Sequence, residues 1–152
     1  MENVGIADIA TQGFLGCVKH VFGLDGICTR SEYLVFLANM EYRNEKEVVN
    51  AVIHALNAAG NYVWRNNSGV VKIKQAKGYR MWRAGITGSS DVLGIAWDGK
   101  FIAVECKYGK NKPSEKQKQF LEAVENRGGY AIVAYSIEDL PEMLKNPPSG
   151  DW

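Results

Sequence analysis

The sequence predicts an α/β domain in which a mixed sheet is flanked by helices. Apolar residues recur at helical spacing after Asn44 and again after Ser114. Short runs rich in β-branched and aromatic residues lie between and after these segments, bounded by Gly, Asp and Asn. The predicted order of the core is therefore helix, three strands, helix, strand (αβββαβ), preceded by an N-terminal helical extension.

Length and composition are those of one globular domain. The chain has 152 residues, 46% of them apolar, which is enough to bury a core. No apolar run reaches the ~18 residues of a membrane-spanning helix, and the start lacks the pattern of a secretory signal. Cys17, Cys28 and Cys106 form no Cys-x-x-Cys pair. We expect a cytoplasmic, intracellular protein with free thiols and no membrane partner.

The chain is predicted to have three parts. These are a helical extension, the main domain and a tail, at residues 1–43, 44–146 and 147–152. Within the extension, residues 6–22 have scattered apolar positions compatible with a helix that ends at Asp25-Gly26. Ser31 is predicted to cap a second helix that runs to about Met40.

The main domain begins with a helix capped by Asn44 and stopped by Gly60. Its apolar stripe consists of Val48, Val49, Val52, Ile53 and Leu56. Residues 62–65 are predicted to form a strand. Residues 70–74 form either another strand or part of a mobile loop that runs to Gly88.

A hairpin is predicted next, since two apolar strands flank Asp98-Gly99, a signal for a two-residue turn. Ser114 and Gln117 then form a capping box for a helix that runs to about Asn126. A buried strand at residues 130–135 and a short helix at residues 138–145 complete the domain.

Three charges converge at one end of the hairpin. Pairing across the turn brings Asp91 near Glu105, and strand alternation points Glu105 and Lys107 to the same face. Two carboxylates about 4 Å apart repel by about 4 kcal/mol at an effective dielectric near 20. A hard divalent cation such as Mg²⁺ would neutralise them, and a neighbouring lysine would orient or deprotonate a bound water. An isolated Glu-x-Lys is more often an ordinary surface pair, but Val104 and Cys106 alternate with these charges in an otherwise apolar run.

Basic residues are concentrated on both sides of this hairpin although the net charge is only +1. No Asp or Glu occurs from Trp64 to Ser90. The basic residues there include Lys72, Lys74, Lys77, Arg80 and Arg83, and those after the hairpin are Lys107, Lys110, Lys112, Lys116 and Lys118. These basic residues either lie in solvated loops or contact phosphates on both sides of a metal site. Trp64, Trp82 and Trp97 are predicted to be core residues, with Trp82 the best candidate for stacking on a base.

The spacing of Asp91, Glu105 and Lys107 resembles the PD-(D/E)xK nuclease superfamily, and more narrowly its virus-type VRR-NUC nucleases. The narrower resemblance covers about residues 45–135. It rests on Arg65-Asn66-Asn67-Ser68-Gly69, Gly88-Ser89-Ser90-Asp91 and Pro113-Ser114-x-x-Gln117. Ser90 replaces the proline that names the superfamily, a change that the VRR-NUC pattern tolerates. The resemblance implies a restriction-endonuclease-like fold in a bacterial or virus-type protein.

The resemblance also implies roles for individual residues. The metal ligands would be Glu45, Asp91, Glu105 and the main-chain carbonyl of Cys106, while Lys107 orients the attacking water and Gln117 orients Lys107 or a phosphate. The implied nucleic-acid contacts are Arg65, Asn67, Ser68, Lys74, Arg80, Arg83, Ser90, Lys110 and Lys112. Glu45 is chosen over Glu47 because it lies on the apolar stripe. In the alternative interpretation, Glu45 is only a first-turn glutamate that interacts favourably with the helix dipole. Gln117 likewise serves as a capping residue in the alternative reading.

The resulting expectation is a homodimeric, metal-dependent DNA endonuclease acting on branched DNA such as Holliday junctions. Two alternatives are kept. One is a restriction-like or exonucleolytic DNase of the same fold. The other is a DNA-binding accessory module that has lost turnover.

Overall fold

The computed structural model describes residues 29–147, in which a four-stranded sheet carries helices on both faces and a two-stranded ribbon forms a second sheet. The helices are α1 (Arg30–Ala38), α2 (Glu45–Ala58), α3 (Glu115–Glu125) and α4 (Glu142–Lys145), with a 3₁₀ helix at Ile137–Asp139. The strands are β1 (Tyr62–Arg65), β2 (Gly69–Gln75), β3 (Gly78–Ala84), β4 (Val92–Ile95), β5 (Phe101–Cys106) and β6 (Tyr130–Ala134). The predicted helix at residues 6–22 lies outside the described residues.

The four-stranded sheet is mixed, with the strand order β1-β4-β5-β6. β4 pairs antiparallel with both β1 and β5, whereas β6 runs parallel to β5. The parallel pair is reached through α3, the helical crossover that such a connection needs. The predicted α/β class with a mixed sheet between helices is confirmed.

The main core lies between α2 and one face of this sheet. Val52 and Leu56 of α2 are fully buried, as the predicted apolar stripe requires. Alternate residues of β5, including Val104, point into the same cluster. α3 covers the opposite face through Leu121, which packs with Ala103. The two faces of β5 therefore contact different helices.

The cap of the helix before this core lies two residues earlier than predicted. Thr29, not Ser31, caps α1, because the Glu32 main-chain N–H donates to the Thr29 hydroxyl and the Glu32 carboxylate accepts from the Thr29 main-chain N–H at 2.7 Å. Tyr33 and Leu37 of α1 are buried in the same core as α2. The predicted division at residue 43 stays a prediction.

The segment between β1 and β4 is a β-ribbon and not a loop. β2 and β3 pair in register from Gly69↔Ala84 to Gln75↔Gly78, which leaves Ala76 and Lys77 as the turn. The strand predicted at residues 70–74 is present, and the loop reading is wrong. β3 was missed because its glycine and basic residues are common in loops.

Two predicted connections also differ. The β4–β5 connection spans residues 96–100 and not two residues, because Ala96 N–H donates to the Lys100 carbonyl at 2.7 Å. The helix predicted at residues 138–145 is divided, since Pro141 follows the 3₁₀ helix and precedes α4. No helix within residues 29–147 is long and apolar enough to cross a membrane.

Candidate active site

Two charged side chains lie at the end of β5, on the face opposite Val104 and Cys106. Glu105 is fully buried and Lys107 is only 7% exposed. Burial of an ion costs on the order of several kcal/mol even after the protein relaxes, so buried ions need partners. Charges buried to this degree are unusual in a domain of this size and mark the site.

Lys107 bridges two carboxylates. Its Nζ lies 2.6 Å from Glu105 Oε1 and 3.7 Å from Glu45 Oε2. The main-chain N–H of Lys107 donates to the Ala134 carbonyl at 2.8 Å, which continues the β5–β6 pairing past the end of the strand. This main-chain bond fixes the direction from which the ammonium group enters the site.

Asp91 lies beside these groups, directly before β4. Its Oδ2 accepts a hydrogen bond of 3.1 Å from the Cys106 main-chain N–H. Its own carbonyl accepts from the Asn66 main-chain N–H at 2.7 Å, which extends the β1–β4 pairing. The sheet thus brings Asp91 and Glu105 to one edge, as the hairpin predicted.

Cys106 offers its main chain and not its thiol to this edge. The side chain is fully buried in the core. Burial raises the pKa of the thiol well above its ordinary value, and the negative charges of Asp91, Glu105 and Glu45 raise it further. A thiolate is therefore strongly disfavoured, and the main-chain carbonyl is the group of Cys106 suited to a metal.

Burial and the neighbouring charges shift the pKa values of Glu105 and Lys107. Burial raises the pKa of Glu105 to about 7; the Lys107 hydrogen bond lowers it, and the charges of Asp91 and Glu45 add to the rise. For Lys107, burial favours the neutral amine. The Glu105 hydrogen bond and the three acidic charges outweigh burial, so the pKa of Lys107 is raised. Lys107 is an ammonium group at neutral pH, a hydrogen-bond donor and not a base.

The two candidate glutamates of α2 point in different directions. Glu45 faces Lys107, whereas Glu47 pairs with Arg43 at 3.1 Å. The Glu47 main-chain N–H also donates to the Asn44 side chain, which is the predicted helix cap. The geometry agrees with the helix phase that selected Glu45.

Gln117 fills both of the roles considered for it. Its Oε1 accepts from the Ser114 main-chain N–H at 2.8 Å, completing the predicted capping box. Its Nε2 donates to Glu105 Oε1, the oxygen that also contacts Lys107. The cap therefore holds the amide in place while its other end orients Glu105.

Two buried oxygens in this region have no hydrogen-bond partner within the described residues: Glu105 Oε2 and Ser90 Oγ. Ser90 is fully buried, so the phosphate contact predicted for it is not available in this conformation. The unpartnered carboxylate oxygen of Glu105 is an acceptor that a cation would satisfy.

The other predicted nucleic-acid contacts are at the surface. Exposed positions are Arg65, Asn67, Ser68, Lys74, Arg80, Lys110 and Lys112. Arg83 lies in β3, in register with Val70. The exposed residues remain available to a phosphate, and their role stays a prediction.

Asn66 is a positioning residue that the sequence reasoning missed. Its side-chain amide donates to Ser89 Oγ at 2.8 Å and to the Ser90 carbonyl at 2.9 Å. Together with its main-chain bond to Asp91, this ties the end of β1 to the segment that carries the acid. The available signal was its position between Arg65 and Asn67 in the quoted motif.

The donor set at this edge fits a hard divalent cation. Asp91 and Glu105 would supply carboxylates, and Cys106 would supply a carbonyl; Mg²⁺ takes one or two carboxylates and keeps several waters. Within residues 29–147, no three His, Cys, Asp or Glu side chains are grouped so that they alone would hold a metal. The unpartnered Glu105 Oε2 is the observation that favours a cation here.

Comparisons of the chain with protein-family models, with curated proteins and with solved structures found no match. The resemblance carried by Asp91, Glu105 and Lys107 therefore stays a prediction. The structure adds the convergence of these three side chains, with Gln117 and Glu45, at one edge of the sheet.

Proposed function

We propose that this protein is a Mg²⁺- or Mn²⁺-dependent DNA endonuclease that hydrolyses phosphodiester bonds. The observation that carries the proposal is a fully buried glutamate that is ion-paired with a buried lysine and keeps one unpartnered oxygen. Such a group costs folding free energy, and strained or costly arrangements cluster at functional sites. A bound divalent cation would give this oxygen a partner and would supply the Lewis acid for hydrolysis.

The residues would divide the work as follows. Asp91, Glu105 and the Cys106 carbonyl would hold the cation, which when bound would supply Lewis-acid polarisation of the phosphate and a lowered pKa of a bound water. Lys107 donates hydrogen bonds that orient this water or a phosphate oxygen. Gln117 fixes the Glu105 carboxylate, and Glu45, which lies 3.7 Å from Lys107 Nζ, holds Lys107 in place, while its predicted role as a metal ligand stays a prediction.

We infer that the substrate is branched DNA and that the enzyme is a homodimer. One chain has one candidate metal site, and symmetric cleavage of two strands needs two. A two-fold dimer presents paired sites to a four-way junction. Light scattering that reports a monomer at micromolar concentration, with equal cleavage of junction and linear duplex, would leave only a generic nuclease.

Two alternatives make different predictions. A restriction-like or exonucleolytic DNase would cleave linear duplex as readily as a junction. A DNA-binding accessory module would bind DNA without cutting it. Burial of Glu105 beside a second acid disfavours that module, because carboxylates repel phosphates.

The test is cleavage of supercoiled plasmid in Mg²⁺, in Mn²⁺ and in EDTA. We expect nicking only with a divalent cation and none from Lys107→Ala. Lys100→Ala is the matched control, because Lys100 forms an exposed pair with Asp98 in the β4–β5 connection, at the other end of the hairpin from Asp91. Absence of cleavage under all conditions, or cleavage that persists in EDTA, would overturn the proposal.

A further inference from the structure

The ribbon formed by β2 and β3 lies outside the four-stranded sheet. Its strands pair with each other and form a sheet of their own. Its large apolar side chains are exposed: Tyr79 by 69%, Met81 by 56%, Trp82 by 53%, Val71 by 50% and Ile73 by 45%. Because these side chains are exposed, burial in a core does not explain why the ribbon carries apolar residues. An isolated two-stranded ribbon is also only marginally stable in water.

The ribbon and its flanks carry a strong positive charge. Six Lys and Arg and no Asp or Glu occur from Trp64 to Ser90. Because the whole chain is +1, the remainder carries −5. The side chains of Lys72, Lys74, Lys77 and Arg80 are exposed. None of these four forms an ion pair with another residue of the described part of the chain.

Each face of the ribbon combines cations with apolar or aromatic side chains. Residues opposite each other in the register share a face. One face therefore has Lys72, Lys74, Tyr79 and Met81, and the other has Val71, Ile73, Arg80 and Trp82. A partner that contacts both faces needs negative charge together with flat or apolar surface, as nucleic acid has.

The ribbon is rooted at the edge of the sheet that carries Asp91. β1 ends at Arg65, opposite Val92, and the next main-chain bond runs from Asn66 to Asp91. The Asn66 side chain also donates to Ser89 and Ser90 in the segment that connects β3 to β4. A partner bound at the base of the ribbon would therefore lie near the candidate metal site.

We propose that the β2–β3 ribbon enters a groove of duplex DNA beside the cleaved phosphate. This rests on the proposed nuclease function and narrows its substrate to DNA that is double-stranded on at least one side of the cut. The major groove, about 12 Å wide, admits a two-stranded ribbon. Strands of seven residues span about 20 Å at ~3.3 Å per residue, which corresponds to about six base pairs.

The test compares two triple variants of the full chain. The ribbon variant is Lys72→Ala/Lys74→Ala/Arg80→Ala. The control, Lys46→Ala/Lys100→Ala/Arg127→Ala, removes the same charge from exposed positions outside the ribbon and outside the two basic stretches. Fluorescence anisotropy in EDTA measures binding to a labelled 20-base-pair duplex and to the corresponding single strand, so the readout does not depend on cleavage.

We expect the ribbon variant to bind the duplex at least about tenfold more weakly at moderate salt, with the salt slope reduced by up to about 3. The control should stay within about twofold. Single-strand affinity should fall less. In Mg²⁺, the ribbon variant should need more DNA for half-maximal rate but reach the same maximal rate.

Unchanged duplex affinity in the ribbon variant would overturn the inference, and so would an equal loss in the control. A ribbon variant that changes from dimer to monomer in light scattering would identify the ribbon as an interface between copies, which also overturns it. Loss of duplex binding in the ribbon variant, with no cleavage by wild type, would keep the inference and refute the nuclease. Cleavage by wild type, with unchanged duplex binding by the ribbon variant, would overturn the inference and support the nuclease.

Discussion

The end of β5 and the β2–β3 ribbon use charge in opposite ways. At the end of β5, Glu105 and Lys107 are buried and contact each other at 2.6 Å. On the ribbon, cations such as Lys72 and Lys74 are exposed and spread over one face. The first region depends on each group and its geometry, whereas the second acts through the sum of its charges.

This difference has energetic consequences. Removal of one partner from a buried pair costs about 3–5 kcal/mol, because the other charge remains buried alone. An exposed charge typically contributes about 0–1 kcal/mol. We therefore expect a single substitution at the end of β5 to have a large energetic effect. Single substitutions on the ribbon should have small effects that are nearly additive.

The largest predicted effect is on turnover by Lys107→Ala. Loss of one preorganised hydrogen-bond donor from an active site typically lowers kcat by about 10²–10³-fold. Lys72→Ala should leave kcat unchanged, since its side chain is exposed on the ribbon. Single-turnover cleavage of a labelled substrate measures both. A ribbon substitution that lowers kcat as much as Lys107→Ala would erase the distinction between the regions.

The second prediction compares stability in the two sheets. Leu56 is fully buried against the four-stranded sheet, and Leu→Ala at such sites costs about 2–5 kcal/mol. Ile73 is 45% exposed on the ribbon, so Ile73→Ala should change the free energy of unfolding by about 0.5 kcal/mol or less. Urea denaturation followed by circular dichroism checks the pair. Equal losses would mean that the ribbon is part of the folding core.

The smallest effect separates the two glutamates of α2. Glu45→Gln should lower the cleavage rate about tenfold, a loss of about 1.4 kcal/mol, because its carboxylate lies 3.7 Å from Lys107 Nζ. Glu47→Gln should stay within about twofold, since Glu47 pairs with Arg43 at the surface. Steady-state rates at saturating DNA compare them. Equal losses in both variants would show that the active face of α2 is wrongly assigned.

Local patterns predicted the parts of the molecule that short-range chemistry determines. The Ser114–Gln117 capping box and the Asn44 cap follow from the side chains themselves. Alternation in β5 predicted that Glu105 and Lys107 share a face. Ser31 was the wrong cap because Thr29 has a glutamate three residues later and Ser31 has none there.

Features that depend on packing partners were not predictable in the same way. Trp64 was expected in the core but is 44% exposed, and Trp82, the exception kept for stacking on a base, is 53% exposed. Hydrophobicity predicts a tendency to be buried, and the fold decides which side chains are covered. The bonds from Asn66 to Ser89 and Ser90 likewise join residues more than 20 positions apart.

The central claim is that Asp91 and Glu105 hold a divalent cation beside Lys107. Calorimetric titration of Mn²⁺ at pH 8, above the pKa of about 7 that Glu105 has in the wild type, tests it most directly in wild type, Asp91→Asn and Lys107→Ala. We predict binding by wild type and by Lys107→Ala, because lysine supplies no ligand atom, and loss of binding in Asp91→Asn. Absence of binding in wild type, or binding that Asp91→Asn leaves unchanged, would contradict it.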